Sequence, residues 1–99
     1  MLDDVGYSDL GCYGSEIQTP RIDALADAGL RYSNLHVTAM CSPTRAALLT
    51  GRNAHAVGMG AIAEWSTGFP GYQGRITPQA ATIAQMLLPH DYGTYAVGK

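Results

Sequence analysis

Apolar residues recur at helical spacing in three parts of the chain, and each part is bounded by residues typical of helix termini. The first predicted helix spans about residues 20–28. Thr19 is expected to be its N-cap, Pro20 occupies the first helical position, and Gly29 is expected to end it in a left-handed conformation. Ile22, Leu25 and Ala26 fall on one face of this helix at helical spacing.

The second predicted helix begins at Ser42 and Pro43, contains the good helix formers of "TRAALLT", and closes at Gly51. The third predicted helix has Thr77 as its cap and Pro78 as its first residue, and it ends by Pro89.

Two shorter segments have the β-branched and aromatic composition of strands, residues 30–37 and residues 94–99. Between the second and third helices, residues 51–78 are rich in glycine and predict a long irregular loop. The resulting order is helix, strand, helix, loop, helix, strand, which is typical of an α/β protein. It supplies too few strands for a complete sheet.

Composition and charge argue against some classes of protein but do not alter the predicted elements. The chain has 99 residues, of which 46% are hydrophobic and 14% charged, so a small globular domain fits better than a disordered segment. The formal net charge of −2 does not suggest a nucleic-acid-binding surface. We expect neither a membrane span nor a signal peptide within these residues, and the compartment stays open.

The start of the second predicted helix holds the most informative chemistry. Cys41 lies at this start, and Arg45 follows one helical turn later. A helix N-terminus presents unpaired N–H groups and the positive end of the dipole, which suit a tetrahedral oxyanion such as sulfate or phosphate beside a nucleophile. A structural cysteine next to a surface arginine would give the same spacing, and spacing alone does not separate the two interpretations.

Three further residues are candidates for binding charged groups. Asp3 and Asp4 are adjacent carboxylates, which suit Ca²⁺ or Mg²⁺, although paired acids in a loop are more often simply solvated. Lys99 follows a glycine at the tip of a predicted strand, where ligands of α/β sheets collect, and could bind an anion.

The other candidate ligands give weaker signals. A disulfide between Cys12 and Cys41 is possible but not expected. The histidines show no metal-ligand spacing, so we expect structural or surface roles for His36, His55 and His90, of which His55 is the one expected nearest a pocket.

Taken together, these residues resemble the sulfatase family. The resemblance rests on "CSPTRAALLTGR", from Cys41 to Arg52, which looks like the signature C-x-P-x-R followed by T-G-R. It extends to "DDVGYSDLGCYG", "TPRIDALADAGLRYSN" and the closing "YAVGK", and "HAVGMGAIAE" looks most like the bacterial arylsulfatase branch. The implied fold is part of an alkaline-phosphatase-like α/β sandwich, with helices packed on a mixed, mostly parallel sheet. Residues 1–99 would be the N-terminal part of a catalytic domain, truncated at both ends.

The resemblance also implies roles for individual residues. Cys41 would be oxidised to Cα-formylglycine by a formylglycine-generating enzyme that reads the C-x-P-x-R motif, and the hydrate would be the nucleophile. Asp3 and Asp4 would ligate Ca²⁺, or Mg²⁺, and residue 41 would face the same ion. Arg45 would hold the hydrate, and Lys99 would bind the sulfate. The substrate would be a sulfate ester of a small molecule or glycan.

The chain also departs from the family pattern. The family continues after its glycine-lysine pair with a Trp-His stretch, and its remaining metal ligands and catalytic residues come much later. We therefore expect the isolated chain to be inactive. Two alternatives stay open: a phosphonate or phosphate ester hydrolase of the same superfamily, and a non-catalytic truncated relative.

Overall fold

Three α-helices, α1 (Pro20–Ala28), α2 (Cys41–Thr50) and α3 (Ile83–Leu87), form the regular part of the structure. The structure is a computed structural model that describes residues 1–99, and it divides into two units, Met1–His36 and Val37–Lys99. Short 3₁₀ turns precede α1, at Tyr7–Asp9 and Gly11–Tyr13, lie between α2 and α3, at His55–Val57 and Ala63–Trp65, and follow α3, at Leu88–His90. No helix combines the length and the apolar character needed to cross a membrane.

In the first unit, the start of α1 is bonded to the 3₁₀ turn that precedes it. Thr19 occupies the predicted N-cap position, but its hydroxyl makes no capping bond to the helix backbone. The hydroxyl accepts from the Gly11 N–H at 2.8 Å and donates to Asp23 Oδ1 at 2.8 Å. The Cys12 N–H donates to the same Asp23 oxygen at 2.7 Å. The bounds predicted for α1 are confirmed, and its first turn also holds the preceding turn in place.

The end of α1 differs from the prediction. Gly29 is extended, with φ −133° and ψ −157°, so the left-handed cap expected there is wrong. The chain beyond the helix is instead bonded to the Gly11–Tyr13 turn. Arg31 Nη1 donates to the Cys12 carbonyl at 2.6 Å, and the Tyr13 hydroxyl donates to the Tyr32 carbonyl at 3.0 Å. These bonds are compatible with an extended exit from α1 and not with the reversal that a left-handed residue produces.

In the second unit, α2 lies within one residue of its predicted bounds. It begins at Cys41, one residue before the predicted start, with Met40 as N-cap. Gly51 has φ +65° and its N–H donates to the Ala47 carbonyl at 2.8 Å, which confirms the predicted helix end. Glycine is favoured at this position because left-handed backbone brings a Cβ too close to the following carbonyl.

The glycine-rich segment after α2 supplies much of the core of the second unit. It is irregular, as predicted, but Val57 is completely buried within it. Val57 packs with Ala46 of α2 and with Ala80, and Met59 and Ile76 pack against this cluster. The Thr77 N–H donates to the Val57 carbonyl at 2.9 Å. The length of the segment is thus explained by packing against α2.

Helix α3 begins five residues later than predicted. Thr82, not Thr77, is the N-cap: its hydroxyl accepts from the Gln85 N–H at 3.3 Å, and Gln85 Oε1 accepts from the Thr82 N–H at 2.7 Å. This reciprocal capping box satisfies two backbone donors that a helix start leaves unpaired. Thr77 instead begins a turn, in which its carbonyl accepts from the Ala80 N–H at 3.0 Å.

Neither predicted strand forms. Residues 30–37 and 94–99 have no backbone hydrogen bonds to a partner strand, and the one β-type pairing is an isolated antiparallel bridge between Met59 and Tyr72. The predicted sheet of the α/β sandwich is therefore absent from residues 1–99. A strand is defined by pairing with a neighbour, and a pattern of β-branched and aromatic residues favours extended backbone without providing that neighbour.

Candidate active site

Cys41 is the first residue of α2. Its side chain is half-buried, and its thiol is free, as is that of Cys12. Met40 before it is extended, with φ −131° and ψ 151°, and makes no side-chain cap. The residue therefore lies among the first N–H groups of a ten-residue helix, at the positive end of the dipole. The sequence predicted this placement from the Ser-Pro start.

Arg45 lies one turn further along α2 and contacts Lys99. Its side chain is half-buried and its Nε atom is buried. Nη1 donates to the backbone oxygen of Lys99 at 3.3 Å. Residues four apart share a helix face, so Cys41 and Arg45 lie on the same side of α2. The structure thus brings together Arg45 and Lys99, two predicted site residues that are 54 positions apart.

Two threonines on either side of Cys41 form a hydrogen-bonded group that the sequence interpretation missed. The Thr38 and Thr44 hydroxyls are 2.5 Å apart, and each also lies within hydrogen-bonding distance of the Met40 carbonyl, at 3.0 Å and 2.9 Å. Hydroxyl residues around a helix start commonly bond to nearby backbone, and that tendency was the available signal. That tendency does not pair Thr38 with Thr44, because their proximity is a property of the folded chain.

The T-G-R end of the motif has a structural role. Thr50 is only 7% exposed, and its hydroxyl donates to the Ala46 carbonyl at 2.7 Å and accepts from the Arg52 N–H at 3.3 Å. Together with the left-handed Gly51, these bonds terminate α2 and direct the chain into the glycine-rich segment that contains Val57. The T-G-R residues therefore determine the end of the helix that carries Cys41.

Asp3 and Asp4 belong to the first unit, and both are exposed. Asp4 has φ +52°, a left-handed backbone conformation that aspartate tolerates better than most residues. Their carboxylates match the oxygen ligands that Ca²⁺ and Mg²⁺ prefer. No three His, Cys, Asp or Glu side chains of residues 1–99 are arranged to hold a metal ion. The donor chemistry fits a hard cation, while the number of donors falls short of a complete shell.

All three histidines are exposed, and two have side-chain partners. His36 Nε2 lies 2.6 Å from Asn34 Oδ1. His55 Nε2 lies 3.0 Å from the Tyr72 hydroxyl, and the two rings meet edge to face. The bond from His55 joins two parts of the glycine-rich segment after α2, residues 51–78, which is consistent with the structural role expected for this histidine.

Comparison with known proteins identifies the family. The Sulfatase family model matches residues 1–99. An uncharacterized sulfatase of Schizosaccharomyces pombe is 41% identical over 107 residues, which cover 100% of this chain and 19% of that protein. The arylsulfatase of Klebsiella aerogenes is 37% identical over 101 residues, covering 100% of the chain and 22% of the relative. Human arylsulfatase A is 41% identical over 103 residues, again covering 100% of the chain and 19% of the relative.

These alignments span the whole chain but only about a fifth of each relative. The matched region contains the C-x-P-x-R start of α2, the Arg45–Lys99 contact and the two adjacent aspartates. Family membership implies an alkaline-phosphatase-like α/β fold, whose sheet these 99 residues do not form by themselves. With the motif, the helix start and the family match in agreement, the chain belongs to the Sulfatase family.

Proposed function

We propose that these residues form part of a sulfuric ester hydrolase of the arylsulfatase type, with Cys41 as the precursor of the nucleophile. The observation that carries the proposal is the placement of Cys41 as the first residue of α2, with Arg45 one turn away and in contact with Lys99. The family match and the arylsulfatase relatives support the same reaction class.

The start of α2 presents hydrogen-bond donors and positive charge, which would stabilise the negative charge of a reacting sulfate ester. The sulfuryl oxygens gain negative charge as the ester bond breaks, and fixed donors aimed at that charge lower the barrier. The first N–H groups of α2 and the Arg45 guanidinium are such donors. The Lys99 ammonium adds a point charge that could bind the same oxyanion. Because Arg45 Nε is buried, the guanidinium is attached to a stem with little freedom to reorient.

Conversion of Cys41 and a bound cation complete the proposed chemistry. A hydrated formylglycine at residue 41 would supply one hydroxyl for attack on sulfur and a second whose deprotonation releases the sulfate. Asp3 and Asp4 would supply carboxylate oxygens to Ca²⁺ or Mg²⁺, with further ligands needed from outside residues 1–99. The enzyme that converts Cys41 is the proposed protein partner, and a sulfate ester of a small molecule or glycan is the proposed substrate.

The test is hydrolysis of three matched aryl esters, a sulfate, a phosphate and a phosphonate, by the full-length protein. We expect the sulfate to be turned over with the highest kcat/KM, and Cys41→Ala to abolish turnover. Cys12→Ala is the matched control, because only backbone atoms of Cys12 take part in its hydrogen bonds. A preference for the phosphate or phosphonate would reassign the reaction, and full sulfate turnover by Cys41→Ala would overturn the role of Cys41.

A further inference from the structure

The peptide that leads into Cys41 is held by the hydroxyl groups of Thr38 and Thr44. The two oxygens are 2.5 Å apart. Thr38 Oγ1 is 3.0 Å from the Met40 carbonyl oxygen, and Thr44 Oγ1 is 2.9 Å from the same atom. Thr44 Oγ1 also lies 3.1 Å from the Thr38 carbonyl oxygen. Two side chains, six residues apart, thus converge on the backbone immediately before Cys41.

Counting protons shows that the two hydroxyls work as a pair. Each threonine has one hydroxyl proton and can accept through its lone pairs. If Thr38 donates to Thr44, then Thr44 donates to a backbone carbonyl, of Thr38 or Met40. If Thr44 donates to Thr38, then Thr38 donates to the Met40 carbonyl. Both arrangements bond the segment before the helix to its first turn, and in both the proton of one hydroxyl is used for the bond between the two threonines.

The bonded carbonyl belongs to the same peptide group as the Cys41 N–H. Because the peptide unit is planar, fixing the Met40 carbonyl oxygen also fixes the Cys41 nitrogen and restricts its Cα. The Thr44 N–H donates to this carbonyl as well, at 3.3 Å, as the first bond of α2. The orientation of residue 41 is therefore coupled to these two hydroxyls.

Helix α2 has other supports that do not involve this group. Pro43 and Ala46 are buried, and Gly51 closes the far end. Thr38, in contrast, is exposed and lies outside the helix. Loss of its hydroxyl should loosen the entry to α2 while leaving the packing of the helix unchanged.

We propose that Thr38 and Thr44 are positioning residues that orient residue 41 for attack on the substrate. We call this pair of threonines the Thr38–Thr44 clamp. The inference rests on the proposed function for its effect on turnover. It adds to that function two hydroxyls that do not themselves touch the reacting atoms. Their contribution is to hold the nucleophile in a narrow range of orientations, on which the rate depends steeply.

The experiment compares Thr38→Val, Thr38→Ser, Thr44→Val and the Thr38→Val/Thr44→Val double variant in the full-length protein. Thr67→Val is the matched control, because Thr67 is an exposed threonine in the glycine-rich segment after α2, away from Cys41 in the sequence. Three quantities are measured on each protein: kcat and KM for an aryl sulfate, the fraction of residue 41 converted to the aldehyde, and amide hydrogen exchange in the peptide covering residues 38–45.

At equal conversion of residue 41, we expect Thr38→Val to lower kcat by about tenfold and to change KM by less than about twofold, because misplacement acts on the reacting geometry. Thr38→Ser should recover kcat, since it keeps the hydroxyl. The double variant should be no slower than the slower single variant, because the hydroxyls act as one unit. Wild-type kcat in Thr38→Val, no recovery in Thr38→Ser, or additive losses would overturn the clamp.

Hydrogen exchange separates this proposal from the proposed function. If the wild-type protein hydrolyses none of the three esters, the proposed function fails. The clamp is then judged by exchange alone. Faster exchange in residues 38–45 for Thr38→Val, but not for Thr38→Ser or Thr67→Val, supports it, and unchanged exchange in Thr38→Val rejects it.

Discussion

Arg45 is the residue whose environment differs most from that of an ordinary surface cation. Its Nε is buried, and its Nη1 contacts the backbone oxygen of Lys99 at 3.3 Å. A charge held in this way needs little reorganisation when negative charge develops nearby, which is the condition for large electrostatic effects on rate. Arginine also presents a planar set of donors that lysine cannot reproduce.

Replacing Arg45 tests that interpretation. We expect Arg45→Lys and Arg45→Ala each to lower kcat/KM for an aryl sulfate by roughly a hundredfold or more, the magnitude found when a fixed transition-state donor is lost. The measurement is steady-state kinetics on full-length protein, normalised to the converted fraction of residue 41. Arg52→Lys is a suitable control, because the Arg52 hydrogen bond described in the structure comes from its backbone N–H. Near-normal kinetics for Arg45→Lys would refute the requirement for a guanidinium.

Asp23 bonds the first turn of α1 to the segment that precedes it in the first unit. One of its oxygens accepts from the Cys12 N–H and from the Thr19 hydroxyl. Asp23→Ala should lower the local opening free energy of residues 11–23 by about 1.5–3 kcal/mol, the range for bonds to a charged acceptor. Amide hydrogen exchange of that segment is the measurement, with the exposed Asp27→Ala as control. Equal exchange in the two variants would show that the Asp23 bonds contribute little.

At the scale of elements, helices were predictable from sequence where their determinants are local. The bounds of α1 follow from Pro20 at the first helical position and from helical spacing, although neither Thr19 nor Gly29 caps the helix as predicted. The end of α2 follows from Gly51. The start of α3 was misjudged because two Thr-containing starts compete, and only Thr82 has a glutamine three residues later to complete a capping box. The strands were not predictable because pairing depends on residues distant in sequence.

The capping box gives a direct test at this scale. Thr82→Ala should destabilise α3 by about 1 kcal/mol, the usual cost of losing an N-cap. Thr77→Ala should have a smaller effect, because the Thr77 hydroxyl contacts only the Gln79 side chain. Hydrogen exchange at Met86, whose N–H donates to the Thr82 carbonyl, reports on the helix. A larger effect of Thr77→Ala than of Thr82→Ala would instead support a helix that begins at Pro78 with Thr77 as its N-cap.

The candidate site shows the same division between local and distant determinants. Cys41 and Arg45 are predicted site residues because a motif and a helix start coincide within one turn. Lys99 is predicted as a site residue from its place at a predicted strand tip, and its backbone oxygen contacts Arg45 although no strand forms. Thr38 and Thr44 were missed because their significance lies in a distance between two side chains, which the sequence does not display.

At the scale of the whole molecule, the chain leaves much of its apolar surface exposed. The hydrophobic residues that are buried are few and mostly small, namely Ala46, Ala54, Val57 and Ala80. Large apolar side chains in residues 30–37 and 94–99 are open to solvent, including Leu35 at 75%, Tyr95 at 94% and Val97 at 103%. Exposed apolar surfaces of this kind normally contact other protein.

The 99 residues expressed alone should therefore behave poorly. We expect binding of a hydrophobic dye, low solubility and no cooperative thermal transition. We also expect no sulfate release, since no three His, Cys, Asp or Glu side chains of residues 1–99 are arranged to hold a metal ion. The full-length protein should show none of these defects under the same conditions. A sharp melting transition with dispersed amide resonances for the isolated chain would contradict the expectation.

The central claim is that Cys41 is the precursor of a formylglycine nucleophile, and mass spectrometry of active full-length protein tests it most directly. The tryptic peptide that contains Cys41 is compared with the peptide expected for the unmodified thiol. We expect residue 41 to carry an aldehyde, seen as replacement of the elements of H₂S by oxygen, in proportion to sulfate ester hydrolysis. A fully active preparation in which residue 41 retains its thiol would contradict it.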